Sequence, residues 1–104
     1  MMDIKNQIKV LEYAKNYVPN VIYGGLCYTI TFSLSEHFHR PRHGFDGKIR
    51  YYIPSFSRWA VFKLCLKHHI KLPSLYKAYW WEIDQYDTRI LVLTTMIDEL
   101  KLKL

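Results

Sequence analysis

A chain of 104 residues, half of them hydrophobic and 16% aromatic, is long enough for one domain with a single core and too apolar to stay disordered. Its two cysteines, Cys27 and Cys65, stand 38 positions apart without a CxxC pair, which excludes a disulfide scaffold, and no run approaches the ~18 apolar residues of a membrane span. The formal net charge of +6 is concentrated: residues 1–36 sum to zero, residues 37–72 set eight basic side chains against Asp46 alone, and residues 73–104 sum to −1.

Asp3 is placed to cap a first helix with Ile4, Ile8, Leu11 and Ala14 on one stripe. That helix should run to about Tyr17 and stop before Pro19, because the residue preceding a proline avoids the helical region. Asn20 to Gly25 reads as a turn. The next segment, Leu26 to Phe38, fits two periods. Leu26, Ile30, Leu34 and Phe38 make a helical stripe, whereas Tyr28, Ile30, Phe32 and Leu34 share one face of a strand, helped by Thr29 and Thr31. Its length favours the helix.

His39 to Pro54, HRPRHGFDGKIRYYIP, is expected to be a basic loop broken by Pro41, Gly44 and Gly47, with Lys48 to Ile53 extended or in a short strand. Ser55 or Ser57 then caps a third helix that turns Trp59, Phe62, Leu66 and Ile70 inward and ends by Pro73. Ser74 to Trp81 is a short helix or an extended connector. Asp87 or Thr88 caps the last helix, whose Ile90, Leu93, Ile97, Leu100 and Leu104 recur at three and four residues. With Asp87 as the cap, Tyr86 and Leu91 would form a hydrophobic staple, and Lys101 and Lys103 would complement the dipole in the final turn. The expected fold is mostly α: one compact domain, 1–104, of three to four helices with a basic central loop. If Tyr28 to Leu34 were a strand, the class would become α+β with a short hairpin within residues 28–53.

The basic segment carries the functional expectation. Arg40, Arg42, Lys48 and Arg50 are interleaved with Phe45, Tyr51 and Tyr52, and Arg58, Lys63, Lys67 and Lys71 continue along the third helix. Guanidinium forks match phosphate geometry and aromatic faces stack on bases, so this pattern suits an anionic ligand, although a charge run is more often only a solvated face. Trp80 and Trp81, in the Tyr79-Trp80-Trp81 cluster, cannot both face inward on one element, and one ring is expected near the surface. Arg89 lies in the first turn of the last helix, where a cation opposes the dipole. That placement suggests a pair with Glu82 or Asp84, or a ligand.

Catalytic readings are weaker. Cys27, in GGLCY at a helix start, is placed to favour a thiolate, yet no partner signature accompanies it, and a small buried thiol is the simpler role. His37, His39 and His43 with Cys65 and His68 supply zinc-ligand types in no standard finger spacing; otherwise the histidines join the solvated basic patch. There is no P-loop, GxGxxG, HExxH or GxSxG, so neither an enzyme nor a cofactor is expected.

YGGLCYTI early, YWW late, and then D-x-R-I-x-x-L-x-x-M-I-D-E-L make the chain resemble a group of small uncharacterised phage-encoded proteins, through Gly25, Leu26, Cys27, Trp80, Trp81, Arg89, Ile90, Leu93, Met96 and Ile97. Glu82 follows the Trp pair here where that group has Pro. The resemblance covers both ends of the chain but not the basic loop. It implies a mobile-element protein in a bacterial host cytoplasm that acts by binding, as an inhibitor of a host enzyme or defence system. The expected function is thus a non-enzymatic binding protein that blocks or sequesters a host component through its basic aromatic surface, with nucleic-acid binding or a cyclic-nucleotide sponge as alternatives. The partner would be a host protein or an anionic ligand, with no membrane, and exposed aromatics are compatible with a homodimer. The amino terminus, MMDIKNQIKV, lacks the apolar core of a signal peptide, in keeping with a cytoplasmic location.

Overall fold

The first helix, α1, spans Ile4–Tyr17 and opens on the expected cap: the Asp3 carboxylate accepts from the Asn6 amide at 2.8 Å. This computed structural model describes residues 2–20, 25–40, 45–71 and 86–104, with the backbone alone for residues 20, 45–48 and 58. The stripe of α1 is buried at Ile8, Val10, Leu11 and Ala14, while Ile4 is only partly covered. Gln7 also lies inside, where its side-chain amide donates to the Met2 carbonyl at 2.7 Å and so satisfies a polar group that burial would otherwise penalise. A short 3-10 turn, Val18–Asn20, takes the chain out of α1 at Pro19.

The ambiguous segment is a helix, α2, over Gly25–Phe38. Its β-favouring residues are accommodated by local hydrogen bonds. Thr29 and Thr31 each donate to the carbonyl four residues back, Gly25 and Cys27, at 2.8 Å. Ser33 donates instead across to the Val10 carbonyl of α1 at 2.7 Å. With these hydroxyls satisfied, α2 buries Leu26, Cys27, Ile30 and Leu34 and three polar residues around them. Among the described residues there is no strand, so the α+β alternative with a hairpin in 28–53 does not hold.

The basic segment holds a further correction. Residues Phe45–Tyr52 form a helix, α3, rather than a loop or strand, and Gly47 sits inside it. Glycine in a helix costs about 1 kcal/mol. The inward packing of Ile49 and Ile53, four residues apart and both buried, together with the partly covered Tyr52, outweighs that cost.

Helix α4, Arg58–Lys67, is capped by Ser57, whose hydroxyl accepts from the Ala60 amide at 3.2 Å. Its inner face is not the one expected. Val61 and Cys65 are buried, while Trp59 and Leu66 are exposed and Phe62 is half-buried. Ile70 is buried as expected, but beyond the helix, since α4 ends six positions before Pro73.

The last helix, α5, is Tyr86–Lys101. It begins before Asp87, which therefore sits in the first turn, and Tyr86 and Leu91 are about half-exposed rather than stapled into the core. Leu93, Ile97 and Leu100 are buried as the periodicity predicts, joined by Val92 and Met96. Leu104 and Lys103 lie past the helix end, and Leu104 is exposed.

Helix α1 is the hub of the packing: α2 and α5 both lie against it, α3 packs on α2, and α4 packs on α5. The fold is mostly helical, with five α-helices among the described residues, one more than the sequence suggests because of α3. No helix among those residues is long and apolar enough to cross a membrane.

Candidate anion-binding surface

Helix α2 ends at Phe38, and His39 turns the chain with a left-handed backbone, φ 55°. The next amide, Arg40, donates back to the Leu34 carbonyl at 3.1 Å. This tight exit brings the Arg40 guanidinium over the Tyr52 ring, 5.4 Å from its centroid, a cation–π contact between the end of α2 and the end of α3. The same end of α3 is tied from the other side, because the Met2 amide donates to the Tyr52 carbonyl at 3.4 Å.

With Ile49, Tyr52 and Ile53 turned inward, α3 presents Arg50 and Tyr51 outward, and Tyr51 keeps 67% of its surface exposed. Four of the residues selected from sequence thus lie on or against α3: Arg40 in contact with Tyr52, and Arg50 and Tyr51 exposed on the outer side of the same short helix. Two cations and two phenol rings supply groups that can accept a phosphate or carboxylate and lay a ring against a planar group.

The remaining selected residues are dispersed. Lys63 is exposed on α4. Lys67 is engaged by the protein itself: its ammonium lies 2.9 Å from Glu99 Oε1, and His68 Nε2 reaches the same oxygen at 2.7 Å. These two bonds, Lys67 first, hold the Glu99 carboxyl below the usual carboxylate range. Lys71 is exposed but lies beyond α4, so the expected lysine stripe is helical only at Lys63 and Lys67.

Arg89 lies in the interior, while the two carboxylates expected beside it, Glu82 and Asp84, lie outside the described residues. It is 4% exposed and donates from Nη1 to the Thr29 hydroxyl at 3.4 Å, so it belongs to the interior between α5 and α2. The register explains this: position 89 shares the inward side of α5 with Val92, Leu93 and Met96. Lys48 and Arg58 lie in α3 and α4, where only their backbone is described. Arg42, Trp80 and Trp81, like Glu82 and Asp84, lie outside the described residues.

Cys27 occupies the first turn of α2 as expected but is fully buried, and Cys65 is buried as well; neither is in a disulfide. Burial pushes the Cys65 thiol up to about 11, which keeps it protonated at neutral pH. His37 stacks on Tyr13, with ring centroids 3.8 Å apart and planes 10° from parallel, and shares a 3.0 Å hydrogen bond with the Tyr17 hydroxyl. Of the other histidines considered as zinc ligands, His39 makes the turn after α2, His68 binds Glu99, and His43 lies outside the described residues. Among the described residues no three His, Cys, Asp or Glu side chains are grouped to hold a metal ion.

The sequence reading missed the outward ridge of Trp59, Phe62 and Leu66 on α4. The available signal was that α4 is apolar on two sides, at 59, 62 and 66 and again at 61, 64 and 65. Compared with protein-family models, with curated proteins and with solved structures, the chain matches none.

Proposed function

We propose that this is a small non-enzymatic binding protein that inhibits or sequesters a host component, as a phage-encoded antagonist of a bacterial defence would, through the basic aromatic corner formed by the end of α2 and by α3. The carrying observation is the Arg40 guanidinium stacked on Tyr52, with Arg50 and Tyr51 exposed on the same short helix. An arginine already held against a ring loses less freedom on binding than a loose one, and its fork edge stays available to an anion. The concentration of charge in residues 37–72 supports the same reading, because it draws an anionic partner toward this part of the molecule. The likeness of GGLCY, YWW and the Arg-Ile helix to small phage-encoded proteins supplies the biological setting, a bacterial cytoplasm.

A second reading is favoured by one observation. An exposed tyrosine next to an arginine suits stacking on a base, as in sequence-tolerant single-strand binding or a cyclic-nucleotide sponge.

The test is a pair of measurements on Arg40→Glu/Arg50→Glu. In cells, inhibition of host defence should be lost while the purified variant keeps its helical spectrum; unchanged inhibition removes this surface from the function. In vitro, anisotropy of a fluorescent single-stranded oligonucleotide should show weak binding with little salt dependence if the partner is a protein. A steep fall in affinity with salt, abolished in the variant, would promote the nucleic-acid reading instead.

A further inference from the structure

Helix α4 has one packed side and one that nothing among the described residues covers. Trp59 is 57% exposed and Leu66 60%, and between them lie half-buried Phe62 and exposed Lys63. Positions 59, 62 and 66 follow the three-then-four spacing by which one helix lays a seam along another. Trp59 is also held in place: its ring stacks on Phe62, centroids 6.0 Å apart and planes 24° from parallel. A large aromatic at one end of an otherwise modest apolar strip, packed against a neighbouring ring, has the form of a binding anchor.

Charge narrows the occupant. From Arg58 to Lys71 there is no acidic residue, and exposed Lys63 and Lys67 line one flank of the strip, with exposed Lys71 beyond the end of the helix. A second copy laid on the same face would set lysine against lysine, which disfavours self-association there. A nucleic acid offers phosphates for the lysines but no apolar layer for Leu66.

We infer that the outer face of α4 is a docking surface for an acidic amphipathic helix of a protein partner, whose apolar stripe covers Trp59, Phe62 and Leu66 and whose flanking carboxylates meet Lys63 and Lys67. Lys67 already shares Glu99 with His68, so docking there exchanges one carboxylate for another or adds a second to the same ammonium. The inference rests on the reading of the protein as a binder of anionic partners, and it places the contact on a helix distinct from the Arg40–Tyr52 corner.

The probe is a synthetic three-heptad peptide with leucine at the seam positions and glutamate on both flanks, titrated into the full-length protein and followed by amide chemical shifts. Saturable binding is expected, with shifts along α4, weakened about tenfold or more by Trp59→Ala or Leu66→Ala and severalfold by Lys63→Glu. Those positions are exposed, so the variants should keep the parent's helical spectrum. Trp59→Phe, which retains a ring, should keep most of the affinity. Equal binding of a peptide with lysine on its flanks would overturn the inference. So would tighter binding through Trp59 and Leu66 to phosphatidylglycerol vesicles, which would make the surface a lipid contact. Binding lost in Arg50→Glu but kept in Trp59→Ala would overturn the α4 assignment and leave the α3 reading standing. Failure of this peptide to bind would overturn the α4 inference alone, whereas unchanged host inhibition in Arg40→Glu/Arg50→Glu would overturn the reading it rests on.

Discussion

Arg89 of α5 and Thr29 of α2, 60 residues apart in sequence, meet in the interior, where the guanidinium donates to a hydroxyl that itself donates to the Gly25 carbonyl. The threonine thus serves as donor to its own helix and acceptor from the next. It closes the local hydrogen-bond demand of a residue type that otherwise favours strands, and it gives a buried cation a neutral acceptor.

Truncating this cation should be expensive. Arg89→Ala is expected to destabilise the fold by about 3 kcal/mol, because it leaves a cavity and takes from the buried Thr29 hydroxyl the donor it accepts from. Thr29→Val should cost about 1 kcal/mol. Urea unfolding of both single variants and of the double variant measures their coupling, and strictly additive losses would show that the two side chains do not act together.

The end of α4 offers the opposite sign. His69 holds φ 59°, its amide donates to the Leu66 carbonyl at 3.3 Å, and the Ile70 amide donates to Cys65 at 2.8 Å, the pair of bonds that closes a helix through a left-handed residue. Glycine takes that conformation without the Cβ penalty. His69→Gly is therefore expected to raise stability by about 0.5 kcal/mol, the relief of strain exceeding the added freedom of the unfolded chain. A lower urea midpoint in the variant would contradict this account.

Much of this was legible in the sequence wherever one local signal had no rival. Asp3 before a clean stripe gave the start of α1, and Ser57 gave the start of α4. Rival signals defeated the reading elsewhere. Gly47 argues against a helix locally, but α3 is decided by where Ile49 and Ile53 can be buried, a tertiary fact. On α4 two apolar sides competed. The larger set, Trp59 and Leu66, was expected inward, yet the core took the smaller Val61 and Cys65, which allow closer approach to the neighbouring helix. The arginines and tyrosines of the candidate surface were selected by composition alone. That Arg40 would find Tyr52 depends on the left-handed turn at His39, a conformation no histidine advertises.

Acid should loosen the contact between α4 and α5. Lys67 and His68 hold the Glu99 carboxyl below its ordinary value, so the folded state binds that proton less readily than the unfolded chain. The contribution is present above the unfolded carboxyl value of about 4.3 and is lost as pH falls through the lower folded value. Glu99→Gln should flatten the dependence of the thermal midpoint on pH in that acidic window. A variant as acid-sensitive as the parent would show that the contact carries no linkage.

Alkali acts through Cys65. Its folded value of about 11 lies above that of a free thiol, so stability is intact below the unfolded value and declines as pH rises toward 11. Cys65→Ala should lose this alkaline slope, although the smaller side chain lowers stability throughout. In the native protein both thiols should resist a disulfide reagent at pH 8 until denaturant is added. Immediate labelling would mean that the interior opens readily.

The hub position of α1 has a consequence for biosynthesis. One of its two main partners, α2, emerges from the ribosome directly after it, but the other, α5, follows only after α3 and α4. The nascent chain therefore carries an uncovered strip of α1 through most of its synthesis, and the core closes only after translation has passed Lys101. At elongation rates of about 5–20 residues per second this interval lasts several seconds. A slow codon between α2 and α5 would lengthen that exposure, whereas one placed before α1 would not.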